Sequence, residues 1–216
     1  MTTRPRSGRS WLVRVLVTRE ELVARVESLG HEAILRELIR VEPLGDDPVD
    51  ARAYDWLVVT SRNGAHELAR RGVTANRIAA IGPATAQALK SHGLRVDLVA
   101  ATHTQEGLRD ELPEGTVLLA AAEGARQDVL AADFLPLYRT IELRPDVPAA
   151  DVALLTSGSA ARALASTGAH VPVVAIGPQT AAAAREAGLY VVAVAADHDL
   201  DGLVEALRSV SWSSPS

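Results

Sequence analysis

One motif occurs twice in this chain, and the repeat restricts the possible folds more than any other feature. Ile81-Gly82-Pro83-Ala84-Thr85-Ala86 returns as Ile176-Gly177-Pro178-Gln179-Thr180-Ala181, a step of 95 residues. The same step carries Gly93-Leu94 onto Gly188-Leu189, Val96 onto Val191, Gly107-Leu108 onto Gly202-Leu203 and Leu112 onto Leu207. One residue further out, Thr60-Ser61 maps onto Thr156-Ser157 and Asp55 onto Asp151. Solenoid repeats have much shorter periods, so the pattern describes a duplicated domain.

Each copy alternates short apolar runs with helical stretches. Trp56-Leu57-Val58-Val59 and Val152-Ala153-Leu154-Leu155 have the length of buried strands. They end in the small polar clusters Thr60-Ser61-Arg62-Asn63-Gly64 and Thr156-Ser157-Gly158-Ser159, each followed by an alanine-rich helix. Arg77 to Ile81 and Val173 to Ile176 read as the next strands. They turn through Gly-Pro into helices beginning near Thr85 and Thr180, since proline is favoured in a first helical turn. Val96 to Val99 and Val191 to Val194 follow as strands. Two strand–helix units precede the copies: Val13 to Thr18 with a helix through Leu29, and Thr116 to Ala120 with a helix through Leu130. Continuous apolar strands alternating with helices specify an α/β fold, with parallel sheets covered by helices on both faces. Ala33 to Pro43 and Leu135 to Leu143 mix apolar and charged residues and read as exposed strands connecting two domains. The repeat by itself places a tandem boundary near Pro113.

Composition narrows the chemistry. The chain has 216 residues, 48% hydrophobic and 23% charged, and a net charge of -5. That balance argues against nucleic acid or a membrane surface as partner, because both need a concentrated basic face. With no cysteine, disulfides, thiolate nucleophiles and cysteine-ligated metal clusters are excluded. No apolar run approaches the ~20 residues of a membrane span. Arg4, Arg6, Arg9 and Trp11 read as a short basic tail before the first strand, and Ser211 to Ser216 as a frayed end. These features point to the cytoplasm.

In parallel α/β sheets ligands bind beyond the carboxyl ends of the strands. Here those ends carry Ser61, Thr85, Ser157, Ser159 and Thr180, all near helix starts, where unpaired N–H groups favour anions. N-capping accounts for any one of them equally well. Their recurrence in pairs suggests two half-sites. No GxGxxG, Walker, HExxH or GxSxG pattern is present, and the 6 histidines lack metal-ligand spacing. Tyr138, beside Arg139 and Thr140, is the strongest single candidate. Its phenol, with a pKa near ~10, stays a neutral donor at pH 7 and could protonate a departing hydroxyl. A tyrosine packed at a domain junction is the other reading.

These residues resemble the uroporphyrinogen-III synthase family from about Val13 to Leu207. The resemblance rests on Val15-Leu16-Val17-Thr18-Arg19, Leu38-Ile39-Arg40-Val41-Glu42-Pro43, Asp55-Trp56-Leu57-Val58-Val59-Thr60-Ser61, the two Gly-Pro-x-Thr-Ala segments and Tyr138-Arg139-Thr140. The chain departs from the family in a short stretch between Arg126 and Tyr138, in Ala121-Ala122 where an Arg-Gly-like pair is common, and in Glu37 where proline is frequent. The resemblance implies two similar α/β domains joined by a two-stranded linker, with the active site in the cleft between them. Domain one would be residues 1–37 plus 144–216, domain two 44–135, and the linker strands 38–43 and 136–143. It implies closure of hydroxymethylbilane with loss of water and inversion of the last pyrrole ring, through a spiro intermediate, in haem and tetrapyrrole biosynthesis. Tyr138 would be catalytic. Thr18, Arg19, Ser61, Arg62, Asn63, Thr85, Arg126, Ser157, Gly158, Ser159, Gly177 and Thr180 would bind substrate. No metal or cofactor is implied, and the expected protein is a monomer receiving its substrate from the preceding deaminase. A non-catalytic tetrapyrrole- or polyanion-binding module of the same fold is the alternative.

Overall fold

The computed structural model describes residues 12–211; the basic residues Arg4, Arg6 and Arg9, together with Trp11 and the end of the serine-rich tail, lie outside them. The described residues divide into two compact units, one up to Arg40 and from Glu142 onward, the other Val41–Ile141. Along the chain the elements are β1 (Arg14–Val17), a short 3-10 turn, α1 (Val23–Glu27), β2 (Glu32–Leu35), β3 (Ile39–Pro43) and β4 (Val49–Asp50). β5 (Trp56–Val59), α2 (Arg62–Arg71), β6 (Val73–Thr74), β7 (Ile78–Ala80), α3 (Pro83–Ser91), β8 (Leu98–Val99) and α4 (Gln105–Glu111) follow. Then come β9 (Val117–Ala122), β10 (Asp133–Glu142), β11 (Val152–Leu155), α5 (Gly158–Ser166), β12 (Val173–Ala175), α6 (Pro178–Glu186), β13 (Val191–Val194) and α7 (Leu200–Arg208).

In the first unit the sheet order is β13-β12-β11-β1-β2, and every pair is parallel. Alternation sends Val15, Val17, Val152, Leu154 and Val174 to one face, against Leu22 and Val26 and against Leu203 and Leu207 of α7. Leu16, Ala153, Leu155 and Val173 take the opposite face, against Ala160, Ala161 and Leu164 of α5 and Ala184 of α6. Both faces are covered, which is why these strands read as unbroken apolar runs. The small alanines let the helices approach closely. Gly158 takes this furthest, since a Cβ there would stand 3.0 Å from that of Ala183.

The second unit repeats the arrangement in its six-stranded sheet, β3-β10-β9-β5-β7-β8. Leu57, Val59, Ile78, Ala80, Leu118 and Ala120 pack on Ala65 and Leu68 of α2 and on Ala86 and Leu89 of α3. Trp56, Val58, Ala79, Leu119 and Ala121 face Leu108 of α4 and Leu130. Read from the β8 and β13 edges, five strands correspond in order between the two sheets, and β3 is an addition at the far edge of the second. β4 and β6 form a separate parallel pair.

Two expectations are corrected. The helix expected after β9, running through Leu130, is not formed. After a turn closed by the Ala125 N–H on the Ala122 carbonyl, the chain covers the sheet as a loop that buries Val129 and Leu130. The tandem boundary near Pro113 is also absent. β9, just beyond Pro113, pairs residue for residue with β5 from Trp56↔Val117 to Val59↔Ala120, so the chain on both sides of Pro113 belongs to one sheet.

Candidate functional site

Parallel register brings the carboxyl ends of the strands to one edge in each unit. In the second unit Val59 lies opposite both Ala80 and Ala120, so the turns after β5, β7 and β9 share that edge. Ser61 caps α2. Its backbone is extended at φ -158 and ψ 157, and its Oγ accepts the Gly64 N–H at 3.0 Å. Asn63 and Arg62 occupy the first turn of that helix.

Tyr138 reaches the same edge through an irregularity in β10. Pro136 pairs with Ala121 and Tyr138 with Ala122, so Leu137 is the extra residue of a bulge. The bulge turns the consecutive Leu137 and Tyr138 into one core, where both are buried. The Tyr138 Oη lies 2.9 Å from the Ser61 Oγ. Burial pushes the phenol pKa above its ordinary value, while hydrogen bonds from Ser61 and Asn63 pull it back. The group is therefore a neutral O–H at physiological pH.

The first unit has the same frame. Ser157 caps α5 at φ -161 and ψ 157, accepting the Ala160 N–H at 3.1 Å. Gly158 and Ser159 are the first two residues of that helix, and the Ser159 Oγ accepts from the Arg162 Nη2 at 3.3 Å. Thr18 follows β1 directly and is buried, its hydroxyl 3.5 Å from the Leu154 carbonyl. Arg19, the next residue, contacts Glu21.

Thr85 and Thr180 do not start their helices. Pro83 and Pro178 are the first helical residues, and Gly82 and Gly177 hold the capping position without a side-chain cap. Both threonines sit in the third helical position, with only 4% and 6% of their surface exposed. Of the five hydroxyls read as possible caps, only Ser61 and Ser157 serve that role. Arg126, in the loop after β9, is held by Glu106 at 2.9 Å and by Asp128, which leaves its charge largely compensated.

α2, α3, α5 and α6, whose starts lie at the strand carboxyl ends, have no acidic residue in their first turn. α4 and α7 carry Glu106 and Asp201 there. The positive ends of the first four helix dipoles are thus left uncancelled, as an anionic ligand requires. Motif reading missed His103 and His198, which the same 95-residue step relates. Their rings pack over the capping glycines, so a Cβ on Gly82 would meet His103 at 3.1 Å and one on Gly177 would meet His198 at 3.2 Å. Among the described residues no group of three or more His, Asp or Glu is placed to hold a metal ion, and no helix is long and apolar enough to cross a membrane.

A family model described as uroporphyrinogen-III synthase HemD matches residues 20–205. A relative from Archaeoglobus fulgidus, named "Putative uroporphyrinogen-III synthase", is 27% identical over 188 residues, 74% of this chain and 81% of the relative. A crystal structure of a mutant uroporphyrinogen III synthase from the extremely thermophilic bacterium Thermus thermophilus superposes with a TM-score of 0.68 at 21% identity, covering 91% of this chain and 97% of that one. At that identity the superposition speaks to the fold. The family match runs through both units and takes in Ser61, Thr85, Tyr138, Ser157 and Thr180, and the chain belongs to the uroporphyrinogen-III synthase HemD family, a family of enzymes.

Proposed function

We propose that the chain closes hydroxymethylbilane to uroporphyrinogen III, as a lyase of tetrapyrrole biosynthesis. The observation that carries this reading is the set of four helix starts without acidic residues in their first turns, two in each unit, together with a buried tyrosine hydrogen-bonded to Ser61 in one of them. The substrate bears eight carboxylates, and first-turn amides of α2, α3, α5 and α6 suit them without a metal. Ser61, Arg62, Asn63 and Thr85 serve this role in one unit, and Thr18, Arg19, Ser157, Gly158, Ser159, Gly177 and Thr180 in the other. Arg126 joins them once substrate draws it from Glu106.

Tyr138 donates its proton to the terminal hydroxyl, which leaves as water and gives an electrophilic azafulvene. Attack by the substituted carbon of the last pyrrole forms the spiro intermediate, whose fragmentation and reclosure invert that ring. Uncatalysed closure gives the other isomer, so positioning supplies most of the selectivity. The domains are those the resemblance implies, 1–37 plus 144–216 and 44–135, with linker strands 38–43 and 136–143. The protein works in the cytoplasm as a monomer fed by the deaminase that makes its substrate.

Tyr138→Phe tests the role of the phenol. Loss of a general acid lowers turnover by about 10²–10⁴-fold, while far-UV circular dichroism stays unchanged. A variant turning over at the wild-type rate removes Tyr138 from the reaction.

A further inference from the structure

We infer that Ser61 is a positioning residue for Tyr138: its oxygen, fixed by the helix-capping bond from Gly64, directs its own proton onto the phenol oxygen. This rests on the reading of Tyr138 as the proton donor, and it gives Ser61 work apart from holding substrate.

A serine hydroxyl has one proton and two lone pairs. The Gly64 N–H, at 3.0 Å, occupies one lone pair. The extended backbone of Ser61 and the start of α2 then fix where the oxygen sits. Its distance of 2.9 Å to the Tyr138 Oη admits a hydrogen bond in either direction. If the phenol donated, its proton would be committed to Ser61 and withheld from the leaving hydroxyl. With Ser61 as donor, the phenol proton points to the substrate, and the serine O–H already faces the anion that forms when that proton leaves.

Duplication supplies an internal comparison. Ser157 has the same backbone angles and the same kind of cap, but its bond comes from Ala160, where the second unit has Gly64. A Cβ at Gly64 would come within 3.2 Å of the Ser61 Oγ, tighter than ordinary contact. Alanine is accommodated where the serine only caps. Glycine stands where the serine oxygen also meets a phenol.

Tyr138 is 5% exposed, so its anion would have little water to solvate it and needs fixed donors. The elements around it carry Glu42 on β3, Glu123 after β9, Arg62 on α2 and Arg139 on β10. Arg139 and Glu42 pair with each other, and the Glu123 N–H binds the Tyr138 carbonyl. Among the described residues, Ser61 is the side chain within hydrogen-bond distance of the phenol oxygen.

The test is titration of the phenol itself. The chain has 3 tyrosines. Replacing all of them by 3-fluorotyrosine, a more acidic phenol, brings their midpoints into a range where folded protein can be followed by ¹⁹F NMR. Tyr138→Phe assigns the Tyr138 resonance, and the exposed Tyr190 is the internal reference. Ser61→Gly removes the hydroxyl but keeps a residue suited to the capping position. The Tyr138 midpoint is expected to rise by about one pH unit while that of Tyr190 stays in place. Ser61→Thr restores it. With hydroxymethylbilane, Ser61→Gly is expected to lower kcat about tenfold. An unchanged or lowered Tyr138 midpoint in Ser61→Gly overturns the inference. The midpoint is read without turnover, so an inactive wild-type chain would sink the proposed function and leave this result standing.

Discussion

Replacing Gly202 by alanine sets a helix preference against a backbone contact. Gly202 is the third residue of α7, and its N–H donates to the capping Asp199 carboxylate at 2.8 Å. A Cβ there would lie 2.1 Å from the Asp197 carbonyl oxygen and 2.9 Å from the Asp197 carbonyl carbon. The obstacle is backbone, so the chain before the helix must retreat by about 1 Å in a close-packed region. Overpacking of this kind costs about 1–3 kcal/mol, a disturbed cap adds about 1, and alanine's better helix propensity returns about 1. The net loss is about 1–3 kcal/mol, or roughly 2–12 °C in Tm for a chain of this size. Gly107, one 95-residue step earlier, has the same 2.1 Å conflict with the Thr102 carbonyl, and Gly107→Ala should cost a similar amount in the other unit. Gly124, with nothing within 4 Å, is the control, and its alanine variant should stay within about 0.5 kcal/mol. Thermal and urea unfolding followed by circular dichroism read all three. A Gly202→Ala or Gly107→Ala protein melting like Gly124→Ala would refute the reasoning.

Three shorter predictions follow from the same geometry. The Tyr138 phenol is raised above the ~10 of an unfolded chain, so the unfolded state ionises first as pH rises. Its contribution is therefore complete below pH ~10 and is lost above it; urea midpoints at pH 9 and 11 should fall more for wild type than for Tyr138→Phe, and equal falls would contradict this. Ser157→Ala should destabilise by about 1 kcal/mol and Ser157→Gly by a few tenths, read as urea midpoints; equal losses would show that the cap bond to Ala160 matters little. Thr180→Val, at a buried first-turn position, should raise KM for hydroxymethylbilane several-fold with unchanged circular dichroism, and an unchanged KM would remove its hydroxyl from substrate binding.

The duplicated frame was legible in the sequence because each repeated residue has a local physical reason. Ser61 and Ser157 cap helices, Gly82 and Gly177 lie under histidine rings, and Gly107 and Gly202 meet a carbonyl. These constraints act over a few residues and leave marks at a fixed step. His103 and His198 carry the same mark, at the same step and without any metal-ligand spacing. Other features depended on contacts distant in sequence. The division of the chain follows from β9 pairing with β5 and β1 with β11, which no local pattern near Pro113 reveals. Tyr138 stood out as a residue, but its partner did not. A strand read by strict alternation would place Leu137 and Tyr138 on opposite faces, and only the bulge in β10 brings the phenol to Ser61. The loop over Leu130 was misread for a related reason, since its buried residues resemble a helix face while a turn at Ala122–Ala125 starts the chain on another path.

The most direct test of the central claim is an isomer-resolved assay. Freshly generated hydroxymethylbilane is given to the purified chain at increasing concentration, the products are oxidised to porphyrins, and isomers I and III are separated by chromatography. The account predicts that isomer III displaces isomer I in proportion to enzyme, and that the displacement is largely lost in Tyr138→Phe. Isomer I alone at high protein concentration would contradict it.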